Sequence, residues 1–369
     1  MWSAAGLFAG VLLTTWNVLV PGVAFLREYA VRNDLRLAYA AAMVGIQDGY
    51  SHLYDLAAQR VALLSLGPDF NPQPFISPPP LAWLVTPLLA IPFPAALVIW
   101  TAILLASLVW TWYLLAPPES LTKAAHLALW LGLFPVAYGV IVGQPGPLVA
   151  AAVATSWWLL RRNRPLWAGV ALSVLVIKPQ LALLVPLCLL VSGHVRTFGA
   201  WLVVCVFLGL ASLALLGPDG IARYREVLAL TQTPDWDITR RYAVSGLIGL
   251  GPQVYVAGAV VAAVALIAAW RHRGGGPEVP IVAGIVGSLL FTPYLAFQDF
   301  LMLVVAGWLL LRAHPSPWQV ALLVVGYALL EVSLVVLALP ILVGEALLLI
   351  SLVWLPAPQL ERPLNRRAI

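Results

Sequence analysis

Residues 77–94 read SPPPLAWLVTPLLAIPFP, and the topology of the whole chain turns on whether this stretch crosses a membrane. Between its prolines it is apolar for only about 15 residues, short of the roughly 20 that a spanning helix needs. Pro78, Pro79 and Pro80 suit a helix that begins at a surface and lies along it. Read as interfacial, the stretch lets the next apolar run, 94–116, return to the side on which the chain began.

Working outward from there, the composition excludes a soluble protein. Of 369 residues, 62% are hydrophobic and 9% charged, with a mean hydropathy of +0.96, against roughly 45–50% and about 25% in soluble domains. The expected fold is an all-α polytopic membrane protein, a single integral membrane domain over 1–369. Apolar runs at 4–26, 94–116, 124–142, 146–160, 165–177, 180–193, 197–216, 252–270, 279–292, 299–312, 317–337 and 341–355 predict about twelve transmembrane helices. The first run lacks a basic leader and a small-residue cleavage site, so it is expected to be a retained span. Two longer polar segments are predicted extracytoplasmic loops, 27–93 with interfacial helices and 217–251.

The basic residues test this layout, because short cytoplasmic loops are enriched in Lys and Arg. Lys123, the triplet Arg161, Arg162 and Arg164, Arg196, Arg271, Arg273, Arg312 and the tail Arg362, Arg366 and Arg367 all fall on the side assigned inside, eleven of the twenty bases. The short outside loops carry only Lys178. Counting 77–94 as a span would put the arginine triplet outside. Both termini are therefore expected to be cytoplasmic, in a multi-pass protein of the cell membrane. The net charge of +5 reflects this orientation rather than a nucleic-acid partner. Cys188 and Cys205 lie inside apolar runs without metal spacing, and the five histidines are scattered, so neither a metal nor another cofactor is expected.

Candidate chemistry collects on the other side. Asp34 follows the first span and precedes a helical pattern; it reads either as that helix's N-cap or as a general base at the membrane surface. Lys178 stands between two apolar runs before Pro179, where its stem can stay in hydrocarbon while its ammonium meets an anionic headgroup. Arg223, Arg225, Arg240 and Arg241 flank Asp235-Trp236-Asp237 and suit bidentate contact with a phosphate, or simple solvation or pairing with those aspartates. Asp299 is either a helix cap or a polar site residue beside Gln298 and Tyr294. Asp48-Gly49 is a turn signal, which leaves Asp55 the better sugar ligand. Glu331 and Glu345, inside the last apolar runs, are expected to face the bundle interior.

Several of these residues fall in a recognisable order: Asp34-Leu-Arg-Leu-Ala-Tyr39, Leu53-Tyr54-Asp55-Leu-Ala-Ala-Gln59, Ser77-Pro-Pro-Pro-Leu81, Gly143-Gln144, and Arg161-Arg162-Asn-Arg164-Pro running to Lys178-Pro179. The set resembles the GT-C class of membrane glycosyltransferases, and within it glycosyltransferase family 87, whose members use polyprenol-phosphate-mannose. The resemblance implies a GT-C-like bundle and an inverting transfer from a polyprenyl-phosphate sugar to a hydroxyl of a lipid or glycan acceptor. It implies Asp34 as general base, with Tyr39, Tyr54, Asp55, Gln144 and Lys178 of the matching segments as substrate ligands, in contact with membrane lipids and without a nucleotide cofactor. Arg240, Arg241, Tyr294, Gln298 and Asp299 are candidate substrate ligands from their place on the outer side, not from the resemblance. The chain departs from the family pattern after Gly-Gln, where Pro145-Gly146-Pro147 stands, and in the late loop, where Thr292-Pro293-Tyr294 to Asp299 replaces a common His. The readings from other classes are a transporter or lipid-linked sugar flippase, disfavoured by the lack of an internal repeat, and a non-catalytic scaffold.

Overall fold

The computed structural model describes residues 2–19, 33–67, 73–233, 240–333 and 338–354. Arg27, Glu28, Arg32, Asp69, the Asp235-Trp236-Asp237 segment and the basic tail lie outside the described residues. Those described form helices and short connections, with no β-strand among them. In chain order the helices are α1 (Trp2–Thr14), α2 (Leu35–Gln47), α3 (Leu56–Leu66), α4 (Pro79–Val85), α5 (Phe93–Leu115), α6 (Ser120–Gly132), α7 (Phe134–Ile141), α8 (Gly146–Arg161) and α9 (Pro165–Leu172). They continue as α10 (Val185–Val191), α11 (Val195–Leu230), α12 (Val244–Ile248), α13 (Pro252–Arg271), α14 (Glu278–Phe291), α15 (Leu301–Arg312), α16 (Pro317–Glu331) and α17 (Ala338–Trp354).

Proline sets this segmentation. A proline in the first helical turn forfeits no hydrogen bond, whereas one further in breaks the ladder. Pro94 opens α5, Pro147 α8, Pro165 α9, Pro252 α13 and Pro317 α16. The apolar chain is thereby cut into helices of which, among the described residues, only Phe93–Leu115, Val195–Leu230 and Pro252–Arg271 are long and apolar enough to cross a membrane. Ser120–Gly132 and Phe134–Ile141 add a fourth if the pair, bent by 57°, is one span. The described residues thus support three or four full-length spans where the sequence predicts about twelve. The remaining predicted spans map onto shorter apolar helices such as α14, α16 and α17, or onto helices interrupted by 3₁₀ turns, as at Ser173–Ile177.

The 77–94 stretch forms α4 followed by a 3₁₀ turn over Thr86–Ala90. Neither piece is long enough to span, and together they pack on α2. Tyr39 of α2 donates to the Ile91 carbonyl (2.9 Å) and meets the Phe93 ring edge-on, with centroids 5.3 Å apart.

Within lipid there is no hydrophobic force between helices, so their association depends on close packing through small residues. Gly10 of α1 lies against the Ala128–Leu129 backbone of α6, and Gly132 of α6 lies against Thr14. Gly169 of α9 faces the Thr197 carbonyl and Ala200 of α11. Helix α14 is apolar all round and buried over nearly its whole length, as a central helix must be. Its Gly284 and Gly287 admit Val185 and Ala265. By contrast α5 buries one stripe (Phe93, Leu97, Trp100, Leu104, Leu108) and exposes Val98, Ile99, Leu105 and Val109, the face that suits lipid.

The 23 residues of α5 measure roughly 34 Å end to end, and different chemistry gathers at each end. At its C-terminus Arg312 of α15 donates to the orphan carbonyls of Leu114, Leu115 and Ala116 (3.0–3.3 Å). The same guanidinium lies 4.7 Å from the Trp157 ring centroid, whose indole donates to Glu278 (2.9 Å), which also faces Arg161 at 3.7 Å. Helix α11 breaks at Gly217 (φ 62°, ψ −177°) before Pro218 and resumes to Leu230. The start of the predicted 217–251 loop is therefore a helical arm, which returns over the first loop: Arg223 donates to the Ser51 carbonyl (2.9 Å) and Tyr224 stacks on Tyr54. Of the two late glutamates, Glu331 accepts from Asn17 (2.5 Å) and from the Phe134 amide (3.0 Å), tying the end of the first helical segment to α7 and α16. Glu345 is buried with no hydrogen-bond partner among the described residues.

The α9–α11 contact is testable. Gly169→Ala should lower the thermal midpoint of the detergent-purified protein, since a Cβ there would sit 2.8 Å from both Ala200 Cβ and the Trp201 amide nitrogen, and overpacking costs about 1–3 kcal/mol. Gly209→Ala, inside α11 with nothing within 4 Å of the added Cβ, should hold or raise the midpoint, because Ala is the better helix former.

Candidate active site

The other end of α5 opens on a cavity of about 590 Å³ lined by the start of α2, the 73–77 strand of chain, the Gly143-Gln144-Pro145 turn, Lys178, Gln180 and the Tyr294–Asp299 segment. That volume is ordinary for a pocket that takes a small-molecule ligand.

Asn33 begins the construction. It is fully buried; its side-chain oxygen accepts from the Leu35 amide (2.9 Å) and its nitrogen donates to the Ile141 carbonyl (3.1 Å). The Asp34 amide donates to the Val142 carbonyl (2.8 Å). The turn is closed from the other side by the Trp100 indole, which donates to the Gly143 carbonyl (2.8 Å). Gly143 has φ +69°, and a Cβ on it would collide with the Asn33 side chain, so the residue type is fixed both by conformation and by space.

Of the two readings open for Asp34, cap or base, the geometry bears on the first. Asp34 occupies the N-cap position of α2 but makes no side-chain capping bond; Asn33 supplies the local one. The Asp34 carboxylate accepts instead from the side-chain amide of Gln144. Gln144 in turn accepts from the Lys178 ammonium (2.6 Å), and Lys178 also donates to the Asp299 carboxylate. Four side chains from four separate segments therefore form one line, Asp34, Gln144, Lys178, Asp299. Burial is the largest influence on Asp34 and pushes its pKa up from 3.8 to about 6; Lys178, the Gln144 hydrogen bond and Arg36 pull the other way, and Asp299 adds to the rise. Lys178 is 8% exposed. With two of its three N–H donors engaged, one is left for a ligand oxygen.

The remaining expected ligands divide. Tyr294, Gln298 and Asp299 line the cavity with Asp34, Gln144 and Lys178. Burial pushes the Tyr294 hydroxyl well up, so it stays a neutral donor; it also accepts from Gln180 (3.2 Å). Asp299 serves two ends, since the Ala296 amide approaches its second oxygen at 3.4 Å. Tyr39, Tyr54, Asp55, Arg240 and Arg241 are not on the cavity wall. Tyr54 stands behind it, donating to the Ser77 carbonyl (2.7 Å) and stacking on Phe75, both wall residues. Asp55 caps α3 through the Ala57 and Ala58 amides (2.9 and 3.0 Å), which hold its carboxyl below the usual range, and faces Arg223 at 3.7 Å. Arg240 is buried and donates to the Thr231 and Thr233 carbonyls (2.5 and 3.0 Å), while Arg241 is exposed. Gln73, Ser77 and Gln180 also line the cavity but were not among the expected ligands. Asn33 was passed over too, although an Asn directly before a helical pattern is itself an N-cap signal.

Two substitutions separate the cap from the carboxylate. Asn33→Ala should lower stability by about 1 kcal/mol or more through loss of the cap. Asp34→Asn should hold or raise it at neutral pH. The folded pKa of Asp34, about 6, lies above its ordinary 3.8, so ionising it subtracts stability as pH rises across that window, and an amide removes the loss. Thermal midpoints at pH 7 check both.

The family model described as Glycosyltransferase family 87 matches residues 75–296, more than half of the chain and most of the cavity wall from Phe75 to Ala296. No curated protein and no solved structure gives a significant match. With an all-helical fold, membrane-length apolar helices and this matched span, the chain belongs to glycosyltransferase family 87.

Proposed function

We propose that this membrane glycosyltransferase moves a sugar, mannose by its family resemblance, from a polyprenyl-phosphate donor to a hydroxyl of a lipid or glycan acceptor, with inversion and with Asp34 as general base. The observation that carries this reading is the alignment of a carboxylate and an ammonium across one cavity, joined by Gln144. The Asp34 carboxylate takes the proton of the acceptor hydroxyl as its oxygen attacks the anomeric carbon. The bond from that carbon to the phosphate oxygen breaks, and the phosphate leaves with the electron pair toward the free donor of Lys178. A base with a pKa near the working pH serves such a step best, typically by a factor of about 10²–10⁴. Tyr294, Gln180 and Gln298 are placed to hold sugar hydroxyls.

The cavity is assigned to the extracytoplasmic face. The support is the separation along α5, which has the cavity at its N-terminal end and Arg312, Arg161 and Lys123 gathered near its C-terminal end, the distribution that a cytoplasmic face favours. A transporter would instead need its ionisable groups near the middle of the membrane.

Detergent-purified protein given a labelled polyprenyl-phosphate sugar and a membrane-lipid extract should form a glycosylated product, and Asp34→Asn should reduce the rate by about 10²–10⁴. Full activity in that variant excludes the mechanism. Lys178→Ala should raise the KM for donor roughly tenfold or more, the worth of a charge-assisted hydrogen bond. An unchanged donor KM removes the phosphate role. The base must be ionised to act, so kcat/KM should fall as pH drops through about 6.

A further inference from the structure

We propose that Gln144 and Asp299 are positioning residues, the amide acting as a fixed link that couples Lys178 to Asp34 and Asp299 holding the ammonium end of that link. The inference rests on the roles assigned above to Asp34 and Lys178, and it gives Gln144 a task other than binding sugar. An ammonium has donors only, so of the Gln144 amide it can bond only the oxygen, to which it donates; the NH₂ end is then left facing Asp34. The reversed amide would set NH₂ against the ammonium and its oxygen against the carboxylate, repulsive at both ends. Lys178 thus dictates that Asp34 receives a hydrogen-bond donor. Asp299 fixes Lys178 in turn, since a buried ammonium without a counter-charge would be expensive. Arrival of a phosphate at the remaining N–H of Lys178 is therefore felt at the base through a single amide.

The groups facing Asp34 come from every segment packed on it: Arg36 from its own helix, Gln144 from the turn before α8, Lys178 from the connection before α10, and Asp299 from the segment before α15; Tyr294 of that last segment lines the same cavity. Two of them act in opposite directions. The Gln144 hydrogen bond favours the ionised carboxyl, and the Asp299 charge disfavours it. Removing the first should raise the proton affinity of Asp34 and removing the second should lower it, whereas a merely structural loss would have no reason to split in sign.

The experiment titrates the Asp34 carboxyl by its infrared carbonyl stretch, as the difference between the protein and its Asp34→Asn variant, in wild-type, Gln144→Ala and Asp299→Asn backgrounds, alongside the acid limb of kcat/KM. The midpoint and the limb should move to higher pH in Gln144→Ala and to lower pH in Asp299→Asn, each by several tenths of a pH unit. Gln144→Met, close in length, serves if the alanine variant does not fold. Shifts of the same sign, or none, overturn the link. The infrared titration needs no turnover, so split shifts in the two variants together with a wild-type protein that transfers no sugar overturn the proposed function and leave the link standing. Active protein without the split does the reverse.

Discussion

A lysine that is only 8% exposed in a membrane protein is the constraint on which this site is built. Withdrawing such a charge from water costs several kcal/mol unless neighbours compensate, and here the compensation comes from Asp299 and the Gln144 amide. Meeting that requirement fixes more than one side chain. It brings the segment before α15 and the turn before α8 to the end of α9, and through Gln144 it reaches the first residue of the α2 segment. The turn can come this close because Gly143 adopts a positive φ and carries no Cβ against Asn33. The placement of the Asp34 carboxylate is thus a consequence of satisfying the cation.

The rest of the helical scaffold explains why such a line stays put. Prolines at helix starts cut the apolar chain into many short pieces, and small residues let those pieces pack backbone to backbone, as Gly284 does on Val185. The re-entering arm of α11 after Gly217 clasps the first loop through Arg223 and Tyr224, and Tyr54 beneath it braces Phe75 and Ser77 in the cavity wall. Site precision depends on such bracing, because side chains on loops otherwise wander.

Much of this was legible in the sequence, and the limits have physical causes. The membrane class followed from composition alone, and the prolines around 77–94 marked a helix too short to span. Lys178, Gln144 and Asp34 stood out because polar groups beside apolar runs demand compensation. Sequence spacing failed to say how many helices cross the membrane, since an apolar run reads alike whether it forms one straight span or two pieces around a 3₁₀ turn such as Ser173–Ile177. It likewise left Asp34 open between cap and base. Asn33 takes the local capping bond, the outcome of a competition between adjacent residues that no spacing rule resolves. Arg240, Tyr39 and Asp55 sit in the expected segments, and their polar groups are engaged by backbone carbonyls and amides, contacts that sequence spacing does not carry.

The proposed mechanism requires the sugar donor to sit in this cavity with its phosphate on Lys178 and its anomeric carbon toward Asp34. The most direct measurement is a structure of the Asp34→Asn protein with a non-hydrolysable polyprenyl phosphonate sugar. A phosphonate oxygen within hydrogen-bonding distance of the Lys178 Nζ, with the anomeric carbon facing residue 34, is the predicted result. A phosphonate bound among the arginines at the far end of α5, or a sugar lying outside the cavity, would contradict it.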